Sequence, residues 1–213
     1  MIFQLDLQCI SFPDPALAEP DGLLAIGGDL RPERLMAAYR QGIFPWYSDD
    51  TPILWYSPHE RFVLKPRALK ISKSMRRILR SGRFRVTHDK AFADVIAACA
   101  TQPRRGQEGT WITEGMKRAY MKLHTLGHAH SIEVWLDSEL VGGLYGVVVG
   151  HVFCGESMFS KVANASKTAL VWLCQQAHYA LIDCQVYTDH LASMGAGMVS
   201  RTEYMAVLSQ NSG

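Results

Sequence analysis

Beyond Pro66 the hydrophobic and polar positions recur with regular helical or strand periods, and this pattern predicts most of the regular structure in the chain. Ser72 or Ser74, Asp89 and Thr113 are placed to cap three of the helices, and Gly127 is placed to end the helix that Thr113 caps. The predicted helices cover residues 72 or 74 to 82, 89 to about 100, 113–126 and 164 to about 178, with a last helix after Ser200. Ser200 and Glu203 have the spacing of a capping box.

Three extended segments lie close together in the second half of the chain, at residues 129–136, 140–149 and 152–159. The joints Asp137-Ser138 and Gly150-His151 are typical of tight turns, so the pattern predicts an antiparallel meander. A helix and a further apolar strand, residues 181–186, follow the meander. This order predicts an α+β fold with a mixed sheet, and it matches the GNAT (acyl-CoA N-acyltransferase-like) fold, whose sheet opens to admit an acyl donor.

The first sixty residues are rich in Pro, Gly and aromatic side chains, with one short helix that Pro32 can begin and Gly42 can end. A turn-rich aromatic stretch, residues 42–58, follows that helix. A piece of this size is too small to carry its own core. We therefore expect a small N-terminal α/β domain, residues 1–62, packed on a GNAT-like catalytic domain, residues 63–213.

Composition is that of an ordinary globular protein, with 48% hydrophobic and 20% charged residues among 213. The chain contains no apolar run long enough for a membrane span and no basic segment ahead of an apolar one at its start. Five scattered cysteines without a C-x-x-C pair suit reduced thiols. These features predict a cytoplasmic location.

Positive charge is concentrated in one segment, which contains no Asp or Glu. Its members are Arg61, Lys65, Arg67, Lys70, Lys73, Arg76, Arg77, Arg80, Arg83 and Arg85. Closely spaced cations can neutralise the phosphates of a nucleic acid and release its counterions. A solvated helix face is the alternative explanation of the same run.

Three polar residues stand out against apolar surroundings in the second half of the chain. Glu156 lies in the segment FCGESMFSK, where a carboxylate is costly unless it is paired or meets a cation. Asp183 and Gln185 lie in LIDCQV, and strand alternation places both on the face opposite Ile182. Two interpretations stay open for them: a strand-end carboxylate with a structural hydrogen-bonded pair, or a reactive centre.

Other chemistries have weaker support. His124, His128 and His130 could ligate zinc, but Gly127 interrupts them and the pattern specifies no fourth ligand. Cys154 or Cys184 would need His151 or His190 nearby to act as a nucleophile. The turn SKVAN, residues 160–164, lacks the glycine-rich pattern that holds coenzyme A in GNAT enzymes. The glycines of VGGLYG precede no helix and form no dinucleotide loop.

Several motifs spread over nearly the whole chain share one resemblance: GLLAIGGDL, GIFPWYS, ILWYSP, GTWIT, LGHAHSIEVW, FCGESMFS and LIDCQV. In this order and spacing they closely resemble the leucyl/phenylalanyl-tRNA-protein transferases, bacterial enzymes that add Leu or Phe to proteins beginning with Arg or Lys. The resemblance implies aminoacyl-tRNA as donor, an acceptor protein with a basic N-terminal residue, no metal and no cofactor. Modified proteins are expected to enter degradation through the N-degron pathway.

The resemblance also implies residue roles. Gln185 would contact the incoming α-amine and the ester, Asp183 would hold and polarise Gln185, and Glu156 would meet the acceptor's cation. The implied substrate-binding residues are Trp46, Trp111, Leu144, Phe153, Met158 and Ile182 for an apolar pocket, with Tyr39 and Tyr120 beside them. The basic run is then interpreted as a shelf for the tRNA acceptor stem, through Lys73, Arg76, Arg77 and Arg80.

Two other functions compete with this one. An acetyltransferase on the same fold would bind coenzyme A, and a non-catalytic module would capture aminoacyl-tRNA or basic N-termini without forming a peptide bond. Leu144 stands where the family commonly has Met, and Leu173 where it can have an aromatic residue. These two differences bear on the preference among Leu, Phe and Met donors.

Overall fold

Two β-sheets and seven α-helices make up the part of the chain that the structure, a computed structural model, describes: residues 2–102, 112–176 and 178–210. The smaller sheet contains Phe3–Leu5 (β1), Leu23–Gly27 (β2), Phe44–Pro45 (β3) and Leu54–Tyr56 (β4), in the order β1-β2-β4-β3. The larger sheet contains Glu60–Leu64 (β5), Arg85–His88 (β6), Ala129–Leu136 (β7), Glu139–Val149 (β8), Val152–Ser160 (β9), Leu181–Gln185 (β10) and Gly197–Ser200 (β11). Its strand order is β11-β5-β10-β9-β8-β7-β6.

The helices are α1 (Pro32–Arg40), α2 (Lys73–Arg80), α3 (Phe92–Thr101), α4 (Glu114–Thr125), α5 (Ala165–Gln176), α6 (Asp189–Ser193) and α7 (Arg201–Ser209). Side-chain caps begin three of them as the sequence predicts, at Ser72, Thr113 and Ser200. Gly127, with a φ of 77°, follows the end of α4. None of the helices described has the length and apolar character needed to cross a bilayer.

The predicted cap at Asp89 is wrong. The helix begins three residues later, at Phe92, and Ala91, which precedes it at the N-cap position, makes no side-chain cap. Asp89 instead turns its carboxylate toward β7, where Oδ1 accepts the backbone N–H of Ser131 at 2.8 Å and Oδ2 lies 2.6 Å from His130 Nδ1. A tertiary contact 41 residues away thus overrides the local capping preference.

The predicted meander is confirmed, with β7, β8 and β9 paired antiparallel. β10 then pairs parallel with β9 and antiparallel with β5. The larger sheet is therefore mixed, and the predicted α+β class is confirmed. The strand β5 was not predicted from the sequence, although it lies inside this sheet between β10 and β11.

Both sheets contribute to one hydrophobic cluster, which contains Leu24 and Trp55 from the smaller sheet and Val147 and Phe159 from the larger. All four side chains are at most 2% exposed. The smaller sheet thus packs on the rest of the molecule, as expected for a piece without its own core. The division of the chain at residue 62 stays a prediction, since β5 spans that position.

The larger sheet opens between β9 and β10. Their pairing covers only Leu181 with Val152, Ile182 with Phe153, and Asp183 with Cys154. On its other side β10 has a bulge between Asp183 and Gln185, where its register with β5 shifts. A bulge bends the strand that carries it. The gap beyond Asp183 is the opening expected for a GNAT-like sheet.

Helix α5 closes one side of this opening because β8 lets it approach closely. A Cβ atom on Gly142 would lie 2.5 Å from the Cβ of Ala165, the first residue of α5. Only glycine permits that separation. The close approach brings Leu170 and Leu173 of α5 to the wall of the cavity described below.

Candidate active site

An apolar cavity of about 470 Å³ occupies the opening between β9 and β10. Its walls come from β8, β9, β10, α5 and the aromatic stretch at the start of the chain. They include Phe44, Trp46, Leu144, Phe153, Met158, Leu170, Leu173 and Ile182. Five of the side chains that the resemblance assigns to an apolar pocket therefore do meet here: Trp46, Leu144, Phe153, Met158 and Ile182. The sixth, Trp111, lies outside the described residues.

Glu156 lies at the polar side of this cavity and is only 6% exposed. Its Oε1 accepts hydrogen bonds from the Tyr39 hydroxyl at 2.8 Å and from Gln185 Nε2 at 2.9 Å, and its Oε2 accepts one from the Tyr120 hydroxyl at 3.0 Å. Burial raises the pKa of the carboxyl to about 7, although the hydrogen bonds from Tyr39, Tyr120 and Gln185 oppose the rise. Glu156 therefore titrates near neutral pH.

Tyr39 and Tyr120 are at most 1% exposed and do not belong to the cavity wall. Tyr39 comes from α1 and Tyr120 from α4, and their hydroxyl groups lie 2.5 Å apart. Burial, followed by the charge of Glu156, raises the pKa of both phenols well above the ordinary value. The two tyrosines thus act on the site by holding Glu156.

Asp183 is completely buried and forms an ion pair with Arg61. Arg61 Nε donates to both carboxylate oxygens, at 3.1 and 3.0 Å, and Nη2 donates to Oδ2 at 2.8 Å. The Tyr204 hydroxyl donates to the same Oδ2 at 3.0 Å. Burial is the largest single influence and by itself would lower the pKa of the guanidinium. The charges of Asp183 and Tyr204, together with the hydrogen bonds to Asp183, outweigh burial and raise that pKa. A fork-shaped pair of this kind fixes the orientation of the carboxylate.

Gln185 joins these two carboxylates. Its backbone N–H donates to Asp183 Oδ1 at 2.8 Å, while its side-chain Nε2 donates to Glu156 across the opening. The φ of Gln185 is 63°, a left-handed conformation that is costly for a residue with a side chain. Asp183 therefore contacts the main chain of Gln185, and the strained turn aims the amide at Glu156.

Sequence reasoning missed Arg61 and Tyr204. Arg61 was assigned to the basic surface run, and this assignment is wrong, because its side chain is 2% exposed and lies between the rings of Phe44 and Tyr204. The partners Arg61 and Asp183 are 122 positions apart, so local spacing carries no sign of the pair. The available signal was an arginine directly before the apolar residues FVL in ERFVL, since a charge on a buried strand requires a partner.

The structure weakens the cysteine alternative. Cys154 is fully buried, and burial raises the pKa of its thiol well above the ordinary value. Burial also raises the pKa of the Cys184 thiol. A thiol must ionise to act as a nucleophile, so neither group is suited to attack.

Of the three histidines considered as zinc ligands, only His130 belongs to the cluster of possible metal ligands found among the described residues, although His124 Nδ1 lies 3.9 Å from Asp89 Oδ1 of that cluster. His124 Nδ1 lies 2.8 Å from the carbonyl oxygen of Ala129, whereas His130 joins His88 and Asp89. The hydrogen bond that His130 donates to the Asp89 carboxylate raises the pKa of His130. This cluster does not line the cavity.

Helix α2 presents its cations to solvent. Met75 is its buried residue, while Lys73, Arg76, Arg77 and Arg80 are exposed. The four cations and Ser81 line a shallow depression on the surface. The exposed faces of several cations on one short helix form a positive surface suited to phosphate groups.

Fold and cavity together define an α+β protein with a mixed sheet and a candidate active site at the opening between β9 and β10. Residues 63–209 match the model of the leucyl/phenylalanyl-tRNA protein transferase family, and residues 28–59 match the model of that family's N-terminal domain. The chain belongs to this family, and it is an enzyme of the aminoacyl-tRNA-protein transferase type.

Similar proteins carry the name leucyl/phenylalanyl-tRNA–protein transferase. The one from Syntrophobacter fumaroxidans is 56% identical over 213 residues, which cover 99% of this chain and 91% of the relative. The one from Anaeromyxobacter sp. is 57% identical and covers 93% and 86%. The one from Shigella dysenteriae is 55% identical and covers 98% and 90%. Among solved structures, a GCN5-related N-acetyltransferase from Kribbella flavida is 7% identical, with a TM-score of 0.39 over 76% of this chain and 58% of that one.

Proposed function

We propose that this enzyme transfers Leu or Phe, and less efficiently Met, from aminoacyl-tRNA to the α-amino group of proteins that begin with Arg or Lys. The new peptide bond marks those proteins for degradation, and the reaction takes place in the cytoplasm. The observation that carries the proposal is the Gln185–Glu156 hydrogen bond of 2.9 Å at the edge of an apolar cavity. The amide and the carboxylate lie side by side at the cavity edge, so a bound ester could meet the acceptor's α-amine there while the acceptor's basic side chain meets Glu156.

The cavity supports the choice of donor. Its walls are mostly aliphatic and aromatic, which suits a Leu or Phe side chain and the face of the terminal adenine. An apolar pocket separates similar hydrophobic side chains by only about 1 to 3 kcal/mol. The same wall would therefore accept Met at a lower rate.

Glu156 supports the choice of acceptor. The carboxylate is buried, so ionisation is unfavourable until a positive group arrives. A guanidinium or ammonium group on the acceptor's first residue would supply that charge and favour the ionised form. An acceptor with an apolar first residue would leave the carboxylate without a cation.

The reaction requires no covalent enzyme intermediate and no cofactor. The neutral α-amine attacks the ester carbonyl, the C–N bond forms, and the C–O bond to the ribose breaks. The proton lost by the amine ends on the ribose oxygen that leaves. Because the ester is already activated, the enzyme mainly has to align amine and carbonyl, and Gln185 lies where it can orient the amine. Asp183 and its Arg61 partner would hold the main chain of Gln185 in place.

Helix α2 supports the use of tRNA. Lys73, Arg76, Arg77 and Arg80 would contact phosphates of the acceptor stem, a recognition that depends on charge and backbone shape rather than on base sequence. Contacts of this type bind the body of the tRNA while the cavity holds its aminoacylated end.

One assay tests the proposal against its two rivals. The protein is mixed with Phe-tRNA and a peptide that begins with Arg, and the peptide is weighed by mass spectrometry. We expect the mass to increase by one Phe residue, and no increase with the same peptide beginning with Ala. Binding of both substrates without a mass change would favour a capture module, and acetylation from acetyl-coenzyme A would favour an acetyltransferase.

A further inference from the structure

His190 has a ring nitrogen with unused hydrogen-bonding capacity in the cavity wall. Its Nε2 is buried and has no hydrogen-bond partner among the described residues. The residue lines the apolar cavity together with Gln185. Buried polar atoms nearly always have a partner, so an unpartnered one in a ligand-sized cavity points to a group that the ligand brings.

The main chain around His190 is fixed. Thr188 caps α6 by accepting the backbone N–H of Leu191 at 3.2 Å, and the Ser193 hydroxyl donates to the carbonyl of His190 at 2.6 Å. Thr188 and Leu191 also lie in the cavity wall. The imidazole is therefore attached to a turn whose main chain is held by hydrogen bonds and which begins three residues after Gln185.

The ring is suited to a hydrogen bond with a neutral group. Burial lowers the pKa of His190, and the positive charge of Lys167 acts in the same direction, so the ring is neutral near pH 7. Glu156, Asp183 and Gln185 already bond to one another or to their neighbours. His190 is thus a polar group that the proposed transfer reaction leaves unused.

We infer that His190 is a positioning residue whose Nε2 hydrogen-bonds the terminal adenosine of the donor. The inference rests on the proposed function, because that function supplies the ligand. Leu and Phe side chains carry no polar atoms, so a polar wall atom beside them would stay unpartnered. The adenosine, in contrast, offers a ribose 2′-hydroxyl and an adenine ring with donor and acceptor nitrogens.

The first test measures binding without transfer. The ligand is phenylalanyl-adenosine joined through an amide in place of the ester, and its dissociation constant is measured by calorimetry. We expect His190→Leu to weaken binding roughly three- to tenfold, as for the loss of one hydrogen bond. His190→Gln, which keeps a polar side chain, should recover part of the loss. His151→Leu, at an exposed position in the turn between β8 and β9, is the matched control and should bind as the wild type does.

Two ligand analogues identify the partner atom. One lacks the 2′-hydroxyl, and the other carries purine in place of adenine and so lacks the exocyclic amine. We expect one of the two analogues to bind the wild-type protein more weakly than the parent ligand does. In His190→Leu, that analogue and the parent ligand should bind equally well. Additive losses for both analogues would overturn the inference, and so would wild-type affinity in His190→Leu.

The transfer assay separates this inference from the proposed function. With Phe-tRNA as the varied substrate, His190→Leu should raise KM and leave kcat within about threefold, whereas a folding defect would also lower the midpoint of thermal unfolding. Wild-type protein that binds the adenosine ligand but forms no peptide bond would refute the proposed function and leave the His190 contact standing. Wild-type transfer with unchanged affinity in both His190 variants would refute the contact alone.

Discussion

The Arg61–Asp183 ion pair is the most deeply buried charge pair of the candidate site, with side-chain exposures of 2% and 0%. Removing one member of such a pair leaves the other charge buried without compensation. The pair joins β5 to β10, and Asp183 in turn holds the main chain of Gln185. We therefore expect stability and activity to depend on it together.

Substitution of Asp183 by Asn should cost about 3 to 5 kcal/mol of unfolding free energy, because the Arg61 guanidinium then stays buried without a counter-charge. Urea titration followed by circular dichroism measures the change. The double variant Arg61→Met with Asp183→Asn removes both charges and should regain most of the loss without regaining transfer. A double variant no more stable than Asp183→Asn would contradict this account of the pair.

The raised pKa of Glu156 leads to a second prediction, about how stability depends on pH. Burial raises that pKa from 4.5 to about 7, so the native state holds the proton more tightly than the unfolded chain does. The resulting stabilisation is complete below the unfolded pKa and is lost as pH rises through the folded pKa. Relative to the wild type, Glu156→Gln should gain about 3 kcal/mol of unfolding free energy between pH 4 and pH 8. Urea titrations at the two pH values test this, and a pH-independent difference would contradict the raised pKa.

Single residues were predictable where the sequence made them conspicuous. Glu156, Asp183 and Gln185 interrupt apolar strands, and that contrast is visible without a structure. Arg61 and Tyr204 escaped because their importance lies in a partner far along the chain. The unpartnered nitrogen of His190 is likewise a property of three-dimensional packing.

Regular elements were predictable where local chemistry decides them. The meander follows from its alternation and tight turns, and the caps at Ser72, Thr113 and Ser200 follow from side chains that reach the adjoining backbone. Strand β5 depends on β10 and β11, which follow it by more than a hundred residues, so its short apolar run did not identify it. The predicted helix cap at Asp89 was wrong for the same reason, since the partners of the Asp89 carboxylate lie on β7.

The bulge in β10 sets up a prediction about strain. Gln185 has a φ of 63°, where a Cβ atom is unfavourable and glycine is at ease. Gln185→Ala and Gln185→Gly both remove the amide, so their difference isolates the backbone. We expect the Gly variant to be about 1 kcal/mol more stable than the Ala variant in urea, and neither to transfer Phe. An Ala variant at least as stable as the Gly variant would show that the turn is not strained.

Helix α2 carries a prediction about nucleic-acid binding. Substitution of Arg76, Arg77 and Arg80 by Glu should weaken tRNA binding and reduce its dependence on salt. The slope of log K against log salt should become shallower by about 0.7 to 0.9 for each phosphate that the helix no longer neutralises. Filter binding over a range of NaCl concentrations measures the slope. Reversal of Arg118 and Lys122, two exposed cations on α4, is the matched control and should leave it unchanged. An unaltered slope in the α2 variant would place the tRNA elsewhere.

At the scale of the molecule, the site depends on the first sixty residues. Tyr39 from α1 bonds to Glu156, Phe44 and Trp46 form part of the cavity wall, and the Gly42 carbonyl accepts from Arg61 Nη1 at 3.0 Å. The sequence predicted that this piece packs on the remainder, and the resemblance predicted Trp46 in the pocket. The sequence could not predict the contacts of Gly42 and Phe44 with Arg61, because these contacts depend on how the two sheets are placed relative to each other.

The shared core predicts that both sheets unfold in one transition. Trp55 lies in the smaller sheet and is fully buried in the common cluster, whereas Trp172 lies on α5 against the larger sheet. Two variants that each keep one of these tryptophans, with the others changed to Phe, report on the two sheets by fluorescence during urea unfolding. Each is referred to its own circular dichroism curve, which controls for any stability change caused by the substitutions. Coincident curves within each variant are expected, because the smaller sheet cannot leave without exposing the common cluster. A fluorescence transition of Trp55 that precedes the circular dichroism transition would mean that the smaller sheet opens first and that the cavity loses Trp46 and Phe44 while the larger sheet persists.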